Sequence, residues 1–376
     1  MTRKRNFKTP STFSNHALWP WWVLCIVLWC VPAWSQDAAP KKLIYYGWGI
    51  RDTQYIREHW QAMEQMPFDG TGIIVAVDRQ GWQQGKQATD NQLGWQVMGK
   101  RRFRIEEFRE AIADLKAAKW RAFTDNFLPV ALSSGHTARL NWFDDERWRI
   151  IVNNFGVVAQ IAAAGDVKGL IIDPEDYNYM LFKYLDQQQL QDRPLEAYMG
   201  MARQRGRDVM AAIATHMPEP VLLTLYGYTL PLREHRGDIK PQDVRYTLLP
   251  AFYDGLLEAM PSKGLFVDGY ESAYAFKQRQ KFLEGYRQVR EGAVAVSALP
   301  VLYRQKVRAG FGLWLDYSQK PNYFTPKEFQ QSLSHALEIS DRYVWIYTNI
   351  PRFFPPTDIQ PSYIEAIATA RRGAKP

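Results

Sequence analysis

From Lys42 onward, eight short apolar runs alternate with eight longer segments of helical spacing, and carboxylates or aromatic rings stand just past nearly every apolar run. Alternating strand and helix signals predict an α/β fold with a parallel sheet. Eight such units across roughly 330 residues are what a TIM (β/α)8 barrel requires. A doubly wound sheet would need fewer strands and a phosphate-binding turn, and Gly47, Trp48 and Gly49 after the first run are too few and wrongly spaced for one.

Taken in order, the chain of 376 residues opens on an export leader. Arg3, Lys4, Arg5 and Lys8 give a basic start, Trp21 to Ala33 give an apolar segment, and Ala33 and Ser35 are small residues at signal-peptidase spacing. Residues 1–35 are therefore expected to be removed, leaving 36–376 as a single barrel domain in the periplasm or secreted. The apolar stretch falls short of the ~20 residues of a comfortable bilayer span, and an uncleaved membrane anchor is the alternative.

The strands are expected at Leu43 to Tyr46, Ile73 to Val77, Arg121 to Asn126, Gly169 to Ile172, Val221 to Tyr226, Leu265 to Asp268, Phe311 to Leu315 and Tyr343 to Tyr347. Helical spacing runs through Thr53 to Met66, Ile105 to Ala118, Glu146 to Ala163, Leu195 to His216, Val244 to Met260, Ala273 to Glu291, Pro326 to Ile339 and Ser362 to Arg371. Enlarged loops follow strands two, three and five. The first carries Trp82 and Trp95, the second His136, Asn141 and Trp142, and the third Arg233, His235 and Arg236. Loops after strands build the active face of such a barrel.

Composition narrows the function. Aromatic residues make up 14%, with 14 tryptophans and 20 tyrosines, more than a core of this size needs and suited to stacking on flat ligand faces. Cys25 and Cys30 are the only cysteines and both lie in the leader, which excludes thiol nucleophiles and disulfides from the mature chain. Half of the +8 formal charge also leaves with the leader, so nucleic acid is an unlikely partner. After cleavage no stable membrane insertion is expected, and neither is a cofactor.

The strand ends carry the chemistry. Asp173 and Glu175 follow strand four in KGLIIDPEDYNY, Asp268 and Glu271 follow strand six in LFVDGYESAY, and Asp316 follows strand seven in FGLWLDY. Glycoside cleavage needs one carboxyl group to give a proton and a second to attack or to activate water. Crowding keeps one of them protonated, because neighbouring negative charges raise its pKa. Glu175 is the expected general acid, tuned by Asp173 two residues earlier on the same side of an extended chain held by Pro174. Asp268 and Glu271 are the leading candidates for base or nucleophile, with Asp316 next. Tyr46, Trp48, Asp78, Asn126, Tyr177, Tyr226, Tyr270, Trp314 and Asn349 are expected to bind a carbohydrate substrate. An Asp after a strand often caps the next helix instead, a reading that weighs on Asp78, Asp125 and Asp316.

The run Gly169 to Tyr177, GLIIDPEDY, resembles the end of strand four in TIM-barrel glycoside hydrolases and is similar to the chitinase signature ending in Asp, any residue, Glu. That resemblance implies Glu175 as the acid and Asp173 as the residue orienting a substrate acetamido group. The family pattern has a further Asp two places earlier, where this chain has Ile171. From YYGWG at Tyr45 to YVWIYTN at Tyr343 the chain also resembles exported glycosidase-like barrels.

Two alternatives stand beside hydrolysis. One is a barrel that binds saccharide without cutting it. The other is a metal-dependent hydrolase, although His59, His136, His216, His235 and His335 show no metal-binding spacing.

Overall fold

The computed structural model describes residues 40–133, 140–177, 179–187, 193–234, 239–318 and 322–374. The predicted leader, 1–35, lies outside the described residues, as do His136, His235 and Arg236. No helix among the described residues is long and apolar enough to cross a membrane.

Eight parallel strands form a closed ring. Strand one is Lys42–Gly47, strand two is the pair of short pieces Gly70–Thr71 and Ile73–Ile74, and strand three is Phe127–Ala131. Strand four is Gly169–Asp173, strand five Val221–Thr224 and strand six Leu265–Asp268. Strand seven is interrupted at Gly310 into Val307–Ala309 and Phe311–Trp314, and strand eight is Tyr343–Thr348. Strands three to six pair in sequence with the first piece of seven, while its second piece pairs with eight, eight with one, and one with two. A parallel bridge between Gly72 and Phe127 closes the remaining seam. The expected α/β fold, a (β/α)8 barrel, is the one observed.

Two apolar layers hold it. Ile44, Phe127, Ile171, Leu223, Val267, Tyr343 and Trp345 fill the barrel interior. The outer faces of the strands pack on the surrounding helices. Those helices follow expectation closely where both caps were legible: Pro326–Ile339 has Pro at its start and a reciprocal Thr325–Glu328 capping box. The predicted Val244 to Met260 shortens to Leu249–Ala259, and Ala273 to Glu291 becomes Arg279–Arg287 continued by a π turn, Gln288–Gly292.

One strand falls elsewhere than expected. Strand three occupies Phe127–Ala131, not Arg121 to Asn126, because Pro129 argues against a strand only where both edges are laddered. Here strand four pairs fully on one side, while the other side has only the Gly72 bridge and then the short helix Leu93–Gln96, whose Gly94 lies against the Pro129 carbonyl. This shift moves Asn126 and Asp125 from the C-terminal to the N-terminal end of the barrel.

Candidate active site

The strand ends converge on an open cleft of about 510 Å³. Asp173 and Glu175 reach it from strand four, Glu271 from strand six, and rings from strands one, seven and eight complete its walls. Asp173 is the last residue of strand four and lies two positions beyond Ile171 on the inward face. Ile171 is therefore barrel filling, and the first residue of that face to emerge from the core is the acid.

Asp173 and Glu175 are not simply side by side on extended chain. The strand ends at Asp173, whose Oδ1 accepts the Glu175 amide at 3.0 Å and whose Oδ2 accepts the Tyr177 hydroxyl at 2.5 Å. An Asp bonding the backbone two residues on is a local turn, and it wins over the extended geometry expected from Pro174. The same Tyr177 hydroxyl lies 3.4 Å from Glu175 Oε2, so one phenol bridges both carboxyls.

Glu271 enters from the other side. Strand six ends at Asp268, and Tyr270 adopts a left-handed conformation with φ 42°, which turns the chain sharply. Backbone strain of this kind is held by surrounding contacts and concentrates at functional sites. Here the Tyr270 hydroxyl donates to Gln288 at 2.6 Å, and the Glu271 amide donates to the Leu225 carbonyl at 3.1 Å. Glu271 is 8% exposed, and its Oε2 has no hydrogen-bond partner among the described residues.

The electrostatics follow from burial with no ion-paired cation among the described residues. Glu271 is pushed far above the ordinary carboxyl value by burial, then by repulsion from Glu175 and Asp173. Burial also raises Asp173, with Glu175 adding to it and the Tyr177 hydroxyl opposing it. Glu175 is raised by burial as well, against the pull of Tyr177, Arg245 and Arg233. Three crowded acids of this kind retain at least one proton near neutral pH.

Aromatic rings line the rest. Trp48 is 57% exposed and stands as a platform on the rim, where Gly47 at φ 146° makes the turn and packs against the Thr348 backbone too closely for any Cβ. Tyr274, Trp314 and Tyr347 form a cluster with centroids 5.3 to 5.6 Å apart, Trp314 meeting both tyrosines edge to face, and the Trp95 and Tyr177 ring centroids are 4.8 Å apart. Tyr46 is half-buried and feels the charges of Asp173 and Glu271. Tyr226 stands at the edge, its ring carrying Arg233 at 5.5 Å.

Several expected site residues do other work. Asp268 is fully buried and accepts from the Gly227, Thr229 and Tyr270 amides and from the Thr229 hydroxyl, so it ties the loop after strand five to strand six. Asp316 accepts from the Asn349 and Ile350 amides, both at 2.9 Å, and from the Trp314 indole at 2.8 Å. It positions a cleft ring and occupies the Asn349 backbone, and neither Asp316 nor Asn349 lines the cleft. Asp78 caps the short helix Arg79–Gln83 through the Gly81 amide. Tyr270 packs on Phe276 and Phe311 outside the cleft. Asn126, at the opposite end of the barrel, holds the Thr71 amide and the Phe123 carbonyl. Trp142 is buried against Trp148 and is core.

Reading the sequence passed over Tyr274, Tyr347, Arg51 and Tyr55, all of which line the cleft. Tyr347 had a signal: Tyr343 and Trp345 fill the interior, and the next residue of that parity must open at the top. Among the described residues no group of three or more His, Cys, Asp or Glu side chains is placed to hold a metal ion.

Fold and cleft thus define a parallel (β/α)8 barrel with a three-carboxyl, aromatic-walled site at its C-terminal face. No protein-family model matches the sequence, and no curated protein matches it. Similar solved structures include a GH18 chitinase from Pseudoalteromonas aurantia, 12% identical, covering 88% of this chain and 100% of that one with a TM-score of 0.41. A Bacteroidetes-affiliated GH5 cellulase is 10% identical over 90% and 93% of the two chains with a TM-score of 0.46. A 3-keto-D-glucoside 4-epimerase from E. coli is 13% identical over 88% and 99% with a TM-score of 0.41. At such values the fold is read from the strand order itself and the function from the cleft.

Proposed function

We propose that this chain is a glycoside hydrolase that cleaves a poly- or oligosaccharide with Glu175 and Glu271 as its carboxyl pair. The observation that carries the reading is their placement: two acids from different strands, with no cation within ion-pair distance among the described residues, line one cleft walled by exposed and half-buried rings. Rings suit the flat faces of sugars, and a pair of carboxyls flanking a glycosidic bond is the minimum hydrolytic apparatus.

Glu175 is the proton donor. It is the more accessible of the two, and the Tyr177 hydroxyl can take up a hydrogen bond to its carboxylate once the proton has left. As the bond from the anomeric carbon to the leaving oxygen breaks, that oxygen takes the proton of Glu175. The carboxylate of Glu271 stabilises the positive charge at carbon by bonding to it or by activating water. Water supplies the hydroxyl group to carbon and returns a proton to the pair. Asp173, held by the Glu175 amide and Tyr177, fixes the backbone that carries Glu175, while burial keeps the Glu175 pKa high.

A reversed assignment is favoured by one fact, that burial and repulsion raise Glu271 furthest. The two assignments separate with an aryl glycoside whose phenol leaves without protonation. Glu175→Gln should then keep much of its first-step rate on the aryl substrate while losing it on natural glycans, and Glu271→Gln should lose both. The opposite pattern reverses the roles. Loss of neither activity rejects this carboxyl pair, and no reducing ends released by wild type across a broad glycan panel rejects hydrolysis and leaves a saccharide-binding barrel.

Residues 1–35, read as a leader, would place the enzyme in the periplasm or outside the cell. A mature N-terminus at Gln36 in the exported fraction tests that.

A further inference from the structure

The cleft wall opposite the carboxyls carries a cation that the proposed chemistry does not use. Arg51 lies in a two-residue strand, Arg51–Asp52, whose register against Ile73–Ile74 fixes its backbone. Its side chain is also fixed: Nε donates to the carbonyl of the buried Phe354, and the guanidinium sits 5.0 Å over the Tyr55 ring. Arg51 lines the cleft, yet among the described residues no carboxylate forms an ion pair with it. The adjacent Asp52 is fully engaged. Its Oδ1 accepts the Gln54 and Tyr55 amides at the start of a helix, and its Oδ2 accepts the Trp82 indole at 2.9 Å.

A guanidinium held at Nε and on one face keeps its two terminal nitrogens as a rigid fork, the geometry that matches a carboxylate or sulfate with two parallel hydrogen bonds. Orienting a long cation in a partly desolvated wall without a counterion costs stability, and a ligand anion would relieve that cost. We infer that Arg51 is an anion-binding residue, and that the glycan taken by this cleft carries a carboxylate or sulfate on a sugar removed from the bond that is cut. This rests on the cleft being the glycan site proposed above.

Position supports the second half of the inference. The cations that act on Glu175 are Arg233, over the Tyr226 ring, and Arg245, paired with Asp176, whereas Arg51 stands beside strand two and is not among the main charges felt by Asp173, Glu175 or Glu271. Apart from the engaged Asp52, the lining on this side is neutral and suited to hydrogen bonding or stacking: Tyr55, Trp82, Gln87, Thr89, Gln92 and Trp95. This describes a subsite for one charged sugar flanked by hydroxyl-binding groups.

The test is calorimetric binding in a Glu175→Gln background, with and without Arg51→Gln. The probes are hexasaccharides of polygalacturonate (carboxylate only) and of carrageenan (sulfate only), with carboxyl-reduced polygalacturonate and cellohexaose as neutral controls. Arg51→Gln should weaken at least one anionic probe roughly 10- to 100-fold, as expected for loss of a charged hydrogen-bonding pair. That loss should shrink as salt is raised and be absent for the neutral controls. Which anionic probe responds names the charged group. Arg51→Lys, which keeps the charge but not the fork, should fall between and guards against a folding defect. Equal binding of neutral and anionic probes, no effect of Arg51→Gln, or no binding of either anionic probe overturns the inference. Reducing-end release by the wild-type protein on the same probes separates the two claims. Arg51-dependent binding without release sinks hydrolysis alone, whereas release from the anionic probes that Arg51→Gln leaves unchanged sinks the anionic subsite alone.

Discussion

At the N-terminal end of the barrel, Asp125 is buried beneath Lys42 at 2.9 Å and accepts the Tyr343 hydroxyl at 2.7 Å. Around the same end Asp69 pairs with Arg371, and Asp341 lies 3.6 Å from Arg290 and accepts the Ala309 amide at 2.8 Å. At the C-terminal end Asp173 and Glu271 are buried and Glu175 is half-buried, with tyrosines for company but no ion-paired cation among the described residues. The titration follows. Burial works to raise Asp125, yet bonds from Tyr343, Thr124 and Lys42 overcome it and hold it below its usual value, whereas all three upper acids are raised. Carboxyl groups therefore behave oppositely at the two ends: paired acids stay ionised and fasten the barrel, and those without an ion pair are raised toward keeping their protons.

The largest effect expected from this contrast is on turnover. Glu175→Gln or Glu271→Gln should each lower hydrolysis of natural glycans by ~10²–10⁴ while oligosaccharide binding persists, measured as reducing ends released and by titration. Asp125→Asn should leave the rate per folded molecule unchanged. Next comes stability. Asp125→Ala strips a buried partner from Lys42 and Tyr343 and should cost ~3–5 kcal/mol in denaturant unfolding. Asp268→Ala, which abandons three buried amides and a hydroxyl, should cost ~2 kcal/mol or more and loosen the loop after strand five, read by hydrogen exchange.

A smaller effect tests the sign of the upper acids. A carboxyl whose folded pKa is raised costs stability above its unfolded pKa, and the cost grows as pH rises toward the folded value. Glu271→Gln should therefore raise Tm more at about pH 8 than at about pH 5, and an equal gain at both would mean that Glu271 is not held protonated. The smallest expected change belongs to Tyr177→Phe. Its hydroxyl lowers both Asp173 and Glu175, so its loss should move the alkaline limb of the pH–rate profile upward, with a rate loss of about tenfold.

Much of the scaffold was legible because apolar runs with clear ends become strands. Strands one, four, five, six and eight lie within two residues of expectation. Strand three was not legible: Pro129 hid it, and only the open seam beside strand two explains why proline is tolerated there. For the site, position after a strand located Asp173, Glu175 and Glu271 but could not say which acids turn inward. Asp268 and Asp316 are at equally good sequence positions, and backbone amides from neighbouring loops claim them, a tertiary fact that leaves no local trace. Arg51 left no sequence signal, because the Phe354 carbonyl and the Tyr55 ring that orient its side chain are brought to it only by the fold.

The central claim is that Glu175 and Glu271 flank the scissile bond. A crystal structure of the Glu175→Gln protein with a bound oligosaccharide tests it most directly. A glycosidic oxygen is expected within ~3 Å of the side-chain amide at position 175, with Glu271 facing the anomeric carbon from the other side. An oligosaccharide seated on the rings with both positions out of reach of any glycosidic oxygen would contradict it.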